Sequence, residues 1–170
     1  MEDRILNLPK IPKWWNKRAT IIFIVVLSII LHAWTVWQLP VDYDEPVYLK
    51  VASDYASFIK QGDLQGLILY ENNQEHPALV KVLYSIPYIL TEKNFDSSFY
   101  LFAARSISAV FGVLAVFLIS LINPWAGFFL TLHSMTLKYT SQAYLEAVPL
   151  FAMIFCVFTL LKSEKRGKRW

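Results

Sequence analysis

The sequence predicts an all-α protein. It reads as a polytopic membrane helical bundle with about four crossings, a re-entrant half-span and amphipathic surface helices in the first outer loop. Three observations predict this. Of 170 residues, 56% are hydrophobic and only 17% are charged, whereas soluble domains carry about 25% charged residues. Residues 20–39, "TIIFIVVLSIILHAWTVWQL", form an uninterrupted apolar run, matching the roughly 20 residues that cross a bilayer as a helix. The charges are also segregated, so the net value of +3 hides a basic start, an acidic middle and a basic end.

The elements follow in order along one membrane domain, 1–170. Residues 1–19 hold Arg4, Lys10, Lys13, Lys17 and Arg18 against Glu2 and Asp3. The run at 20–39 is too long for the apolar core of a signal peptide, and "HAWTVWQLP" offers no small-residue cleavage site. It is a retained first span, with Trp14, Trp15, Trp34 and Trp37 placed for interfacial belts. Residues 40–75 carry seven acids and two lysines. The positive-inside rule therefore puts the N-terminus in the cytoplasm and this loop outside.

Within the loop, "EPVYLKVASDYASFIKQG" places Val47, Tyr48, Val51, Tyr55, Phe58 and Ile59 at helical spacing. Pro46 suits the first turn and Gly62 the stop. The expectation is a helix lying on the outer membrane surface, with "DLQGLILY" as a second, shorter one.

The remaining spans are expected within 76–161: a short one at 76–90, a third at about 99–121, and a last one ending at Leu161. Residues 124–135 are apolar but short, and read as a half-span or re-entrant piece. Residues 162–170, "KSEKRGKRW", are basic and belong inside. Both termini inside requires an even number of crossings; five would put the basic tail outside. Cys156 is the only cysteine, which excludes a disulfide framework and a thiolate metal site.

Polar groups near the predicted boundaries are the candidates for chemistry. Asp44 and Glu45 precede Pro46. An acid there caps a helix and favours the positive end of its dipole. A partly desolvated carboxylate at the same place is also a competent general base. His76 and Pro77 open the second span; the pair suits a helix start, and the histidine could also meet a phosphate or help hold a divalent cation. Arg105 lies inside an apolar helix, where an arginine is a functional-site hypothesis by default, with snorkelling to the near interface as the plain alternative. Glu146 starts the last span, either as an interfacial residue or as a second carboxylate facing Asp44. His133 and Lys138 are assigned to interfaces or packing. Convergence of the acids and histidine in one outer cleft would make an acid/base site, or a site for a hard cation such as Mg²⁺ or Mn²⁺.

Taken in order, "DYDEPVY", "EHPALVKVLYSIPYIL", "ARSISAVFGVLAV" and "YTSQAYLEAVPLFAMIFCVFTLLK" resemble the N-terminal part of GT-C fold glycosyltransferases. The resemblance is to the branch that holds protein O-mannosyltransferases and lipid A aminoarabinose transferases. It implies transfer of a sugar from a polyprenyl-phosphate donor to an acceptor hydroxyl on the outer or lumenal face, with inversion. It makes Asp44, or else Glu45, the catalytic base, and His76, Arg105 and Glu146 substrate-binding groups, with Arg105 or a cation meeting the leaving phosphate. Family members have further spans that complete the donor groove, so a partner chain supplying them is expected. The implied location is the plasma membrane, or the endoplasmic reticulum in a eukaryote, among membrane lipids and without nucleic acid. The alternatives are a non-catalytic membrane subunit that keeps the fold and binds a partner or lipid, and an unrelated small transporter or scaffold.

Overall fold

The computed structural model describes residues 16–72, 78–91 and 97–167, with side chains as far as 164. Eight helices and no strand occur among these residues: α1 (Lys17–Gln38), α2 (Glu45–Gln61), α3 (Leu64–Ile68), α4 (Ala78–Leu90), α5 (Ser97–Ile122), α6 (Pro124–Leu132), α7 (Ser134–Tyr139) and α8 (Ala147–Gly167). Three of them, α1, α5 and α8, are long and apolar enough to cross a membrane.

α1 starts where Asn16 accepts from the backbone N–H groups of Arg18 and Ala19 (3.0 and 3.5 Å), satisfying donors that a helix start leaves orphaned. It ends ahead of Pro40, as the apolar run predicts. Its buried residues, Ile24, Ser28, His32 and Val36, recur every fourth position and form one stripe. That stripe faces α5 in antiparallel orientation. Trp37 meets Phe102 near the head of α5, at 6.0 Å between ring centroids, while His32 lies beside Gly112 farther along it.

α2 forms over the predicted residues. Gly62 ends it in the left-handed region (φ 69°), and Asp63 N–H bonds back to the Phe58 carbonyl at 3.0 Å, a glycine stop of the expected kind. Asp63 then caps α3 through the Gly66 N–H (2.8 Å). The buried face of α2 differs from the expected one. Tyr48, Val51 and Tyr55 are buried, but so are Leu49, Ala52 and Ala56, while Val47 is exposed. The helix buries this face in protein. Tyr48, Leu49 and Ala52 share one core cluster with Val80 and Tyr84 of α4, Ala104 of α5 and Val148 of α8.

The expected second span at 76–90 needs correction. α4 has 13 residues, about 20 Å of helix, against a hydrocarbon core of about 30 Å. Its last turn stays with α2 and the head of α5. Tyr88 stacks on Tyr100 (3.8 Å, 6°), Thr91 Oγ1 lies 3.0 Å from the Tyr100 hydroxyl, and Lys60 donates to the Thr91 carbonyl (3.1 Å). α2, α3, α4 and the first two turns of α5 thus form a head layer beyond the end of α1.

Below that layer the chain runs back and forth along α5. α6 begins at Asn123, which caps it through the N–H groups of Trp125 and Ala126. Gly127 packs against Ser120 near the far end of α5, and Thr140, just after α7, packs against Gly112. The α6–α7 stretch is therefore antiparallel to α5. α8 then runs parallel to α5: Val148 clusters with Ala104, Phe151 meets Phe111, and Ile154 packs with Ala115 and Leu118.

Candidate functional site

The candidate site lies where the head layer meets the end of α1. At its centre Arg105 and Glu45 form a buried bidentate pair, 4% and 0% exposed. Arg105 Nε donates to Glu45 Oε1 (2.8 Å) and Nη2 to Oε2 (2.6 Å). Nη1 donates to the carbonyls of Val36 (3.1 Å) and Leu39 (2.8 Å), and Nη2 also donates to that of Pro40 (2.7 Å). A guanidinium has five N–H donors, and all are used. Three of these bonds satisfy carbonyls at the C-terminal end of α1, where a helix leaves acceptors orphaned and favours positive charge.

Glu45 is equally committed. Besides Arg105 it accepts from Ala143 N–H at Oε1 (2.8 Å) and Asp42 N–H at Oε2 (2.9 Å). Four bonds fill the lone-pair positions of a carboxylate. The pair ties α1, α2, α5 and the 140–146 segment together. In this arrangement Glu45 presents no basic lone pair to an acceptor, and Arg105 presents no donor to a phosphate. The sequence offers snorkelling or phosphate binding for Arg105; the structure gives it an inward carboxylate instead.

Asp44 stands apart. It occupies the cap position of α2 with αR backbone (φ −84°, ψ −23°), and its side chain makes no capping bond. The capping role expected for it is not filled by its carboxylate. Half-buried, that carboxylate has no hydrogen bond or ion pair among the described residues, and it lies within electrostatic range of the Tyr144 hydroxyl.

Asp42 is held on several sides: by the Tyr144 hydroxyl, by Tyr43 N–H (2.7 Å) and by Lys138 Nζ (3.5 Å). The Tyr144 bond foremost holds its carboxyl below the usual range; burial opposes it, and Tyr43 N–H and the Lys138 charge add to the lowering. Burial, and then the Asp42 bond, push the Tyr144 phenol up. The Tyr144 carbonyl in turn accepts from Tyr84, whose hydroxyl also contacts Ser108 Oγ.

Glu146 is exposed at the start of α8 and makes no side-chain bond among the described residues. It lies within electrostatic range of Tyr84, as does Glu45. Asp44, Glu45, Arg105 and Glu146 therefore belong to one head region linked through Tyr84 and Tyr144. His76 lies outside the described residues. Among the described residues, no three His, Cys, Asp or Glu side chains gather in a way that would hold a metal ion.

Beside the 42–45 turn, an open groove of about 520 Å³ is lined by Val41, Pro46, Leu49, Lys50, Tyr88 and Tyr100, among others. Sequence reasoning did not single out Tyr84, Tyr144 or Ala143. Their roles depend on a carbonyl, a hydroxyl and an N–H brought together by chain segments far apart. The only sequence signal was the polar "YTSQAY" stretch before the last apolar run.

No family model matches the chain, and no curated protein and no solved structure matches it with significant similarity.

Proposed function

We propose that the chain is the N-terminal module of a membrane glycosyltransferase, moving a sugar from a polyprenyl-phosphate donor to an acceptor hydroxyl on the outer face. The observation that carries this reading is the state of Asp44. Of the three acids in the 42–45 turn, it alone keeps a carboxylate without a partner among the described residues. A base needs a free lone pair and partial shielding from water. In the reaction Asp44 takes the proton of the acceptor hydroxyl. The oxygen attacks the anomeric carbon, the bond to the phosphate oxygen breaks, and the lipid phosphate leaves. Arg105 holds the turn in place, and charge for the phosphate comes from another group; Lys50, which lines the adjacent groove and pairs with Asp54 at 2.6 Å, is a candidate on that surface. Completing helices come from further sequence or a partner chain.

The membrane arrangement proposed with this function has four passes: α1 outward, α5 inward, the broken α6–α7 stretch outward, and α8 inward. The antiparallel order of these elements supports it, as do the basic flanks at both ends. The head layer then faces outside.

The test is sugar transfer from a lipid-phosphate donor in native membranes, where partner chains are present. Asp44→Asn is expected to abolish transfer with insertion unchanged, and Asp42→Asn to retain it. Transfer that survives Asp44→Asn overturns the reading. It would favour the non-catalytic subunit, a role supported by the closed Glu45–Arg105 pair, in which two of the expected site residues bond only to protein.

A further inference from the structure

Every N–H of Arg105 is already bonded to protein, so the phosphate that leaves in the proposed transfer needs another cation. Among the described residues of the head region, three lysines are committed or closed off. Lys50 is drawn to Asp54 at 2.6 Å, the distance of a full charge-assisted bond. Lys60 donates to the Thr91 carbonyl at 3.1 Å. Lys81 is 1% exposed. Lys138 differs in place and in hold. Its Nζ stands 3.5 Å from Asp42 Oδ2, on the same turn that carries Asp44. That separation is longer than the roughly 2.7–2.9 Å of a charge-assisted N–H···O bond.

The backbone beneath this side chain is fixed. The Lys138 carbonyl accepts from the N–H groups of Ser141 and Gln142, both at 3.1 Å. Thr140 Oγ1, just beyond, lies 2.9 Å from His32 Nε2 of α1. The Tyr139 ring stands 5.3 Å from Lys138 Nζ and meets the Tyr144 ring edge-on at 5.4 Å. The lysine side chain itself stays 39% exposed. A flexible stem with three rotatable donors can thus swing from a fixed base. Asp42 does not depend on it. With Lys138 turned away, Asp42 keeps Tyr43 N–H (2.7 Å) and the Tyr144 hydroxyl.

We infer that Lys138 is a catalytic residue of the proposed transfer, meeting the lipid phosphate as it leaves. The inference rests on the glycosyltransferase reading. Asp44 takes the proton of the acceptor hydroxyl, and the new bond forms at the anomeric carbon. As the old C–O bond breaks, its electron pair goes to the phosphate oxygen. Lys138 Nζ donates hydrogen bonds to the charge that gathers there, and keeps its own protons. Positive groups aimed at charge that develops in the transition state lower the barrier most. The sequence assigns Lys138 to an interface or to packing; its place beside Asp42 gives it this role instead.

Two measurements in native membranes test it. The first compares sugar transfer by Lys138→Gln, Lys138→Arg, Asp42→Asn and Asp44→Asn chains inserted to equal levels. Lys138→Gln is expected to lower the rate about 10²–10³-fold, the usual effect of losing one such donor. Lys138→Arg, which keeps the charge, should recover most of it. A loss in Asp42→Asn as large as in Lys138→Gln would make the lysine only a prop for the turn, and overturns the inference. Lys138→Gln working at the parent rate while Asp44→Asn is dead also overturns it, and leaves the glycosyltransferase reading standing. Full transfer by Asp44→Asn overturns that reading and the inference with it. The second measurement needs no transfer. Farnesyl monophosphate, a lipid-phosphate probe, is expected to raise the heat resistance of the parent and Lys138→Arg chains but not of Lys138→Gln, and farnesol to raise none of them. An equal rise in Lys138→Gln, or none in the parent, overturns the phosphate contact.

Discussion

At the scale of single residues, the candidate site divides groups that hold the fold from one that is free. Removing one partner of a buried, fully bonded pair leaves the other charge stranded, which costs about 3–5 kcal/mol. Arg105→Met should therefore lower the thermal unfolding midpoint in detergent markedly, whereas Asp44→Asn should shift stability by no more than about 0.5 kcal/mol. Equal losses in the two variants would mean that Asp44 is also structural. Asp42 responds to pH. Its folded-state value lies below the ordinary one, so its contribution is present above about pH 4 and is lost as pH falls through the folded-state value. Tyr144→Phe removes the main cause of that shift. The variant should therefore show a shallower acid-side decline in midpoint than the parent chain.

At the scale of elements, close approach rather than propensity sets the arrangement. A methyl group added at Gly112 would stand 2.5 Å from His32 Nε2 and 2.8 Å from Thr140 Oγ1. Gly112→Ala is thus expected to destabilise by about 1–3 kcal/mol and to loosen the end of α7 from α1, read as a lower unfolding midpoint and faster proteolysis after Thr140. α1 and α2 were legible in sequence because each has a long periodic run with a clear stop, at Pro40 and at Gly62. The burial face of α2 was less so. Its six expected apolar positions include Val47, which is exposed, and omit Ala52, which is fully buried in the cluster shared with α4, α5 and α8. Small residues at a helix contact carry little hydrophobic signal, yet they permit the closest packing.

At the scale of the whole molecule, crossing order is the testable quantity. Cysteines at Leu64, in the head layer, and at exposed Ser163, near the end of α8, should be labelled by an impermeant maleimide from opposite sides of sealed vesicles, each in the Cys156→Ser background. Labelling of both from one side would break the four-pass arrangement. Among the described residues three helices are long enough to span, and one broken stretch lies between α5 and α8; the proposed arrangement counts that stretch as a pass to give the even parity expected from the basic ends. Charge suggests the even number, but it does not say which elements would make the passes. The sequence expects a short span at 76–90 and a half-span at 124–135. The structure keeps the first in the head layer and runs the second, through α7, beside α5 from Ser120 to Gly112.

Composition and periodicity alone determined that this chain is helical, that its long apolar runs match membrane spans, and that acids cluster in one loop between basic ends. These follow from local properties: run length, spacing and the sign of neighbouring charges. Tertiary structure alone decided which of those acids is free. Asp42, Asp44 and Glu45 are near-identical in local sequence context. Glu45 is occupied because Arg105 and Ala143, 60 and 98 residues away, arrive at its oxygens. Asp42 is occupied by Tyr144 and Lys138. The physical reason is that a hydrogen bond depends on distance and direction in space, and neither is encoded in the spacing of residues that meet only after the chain has folded.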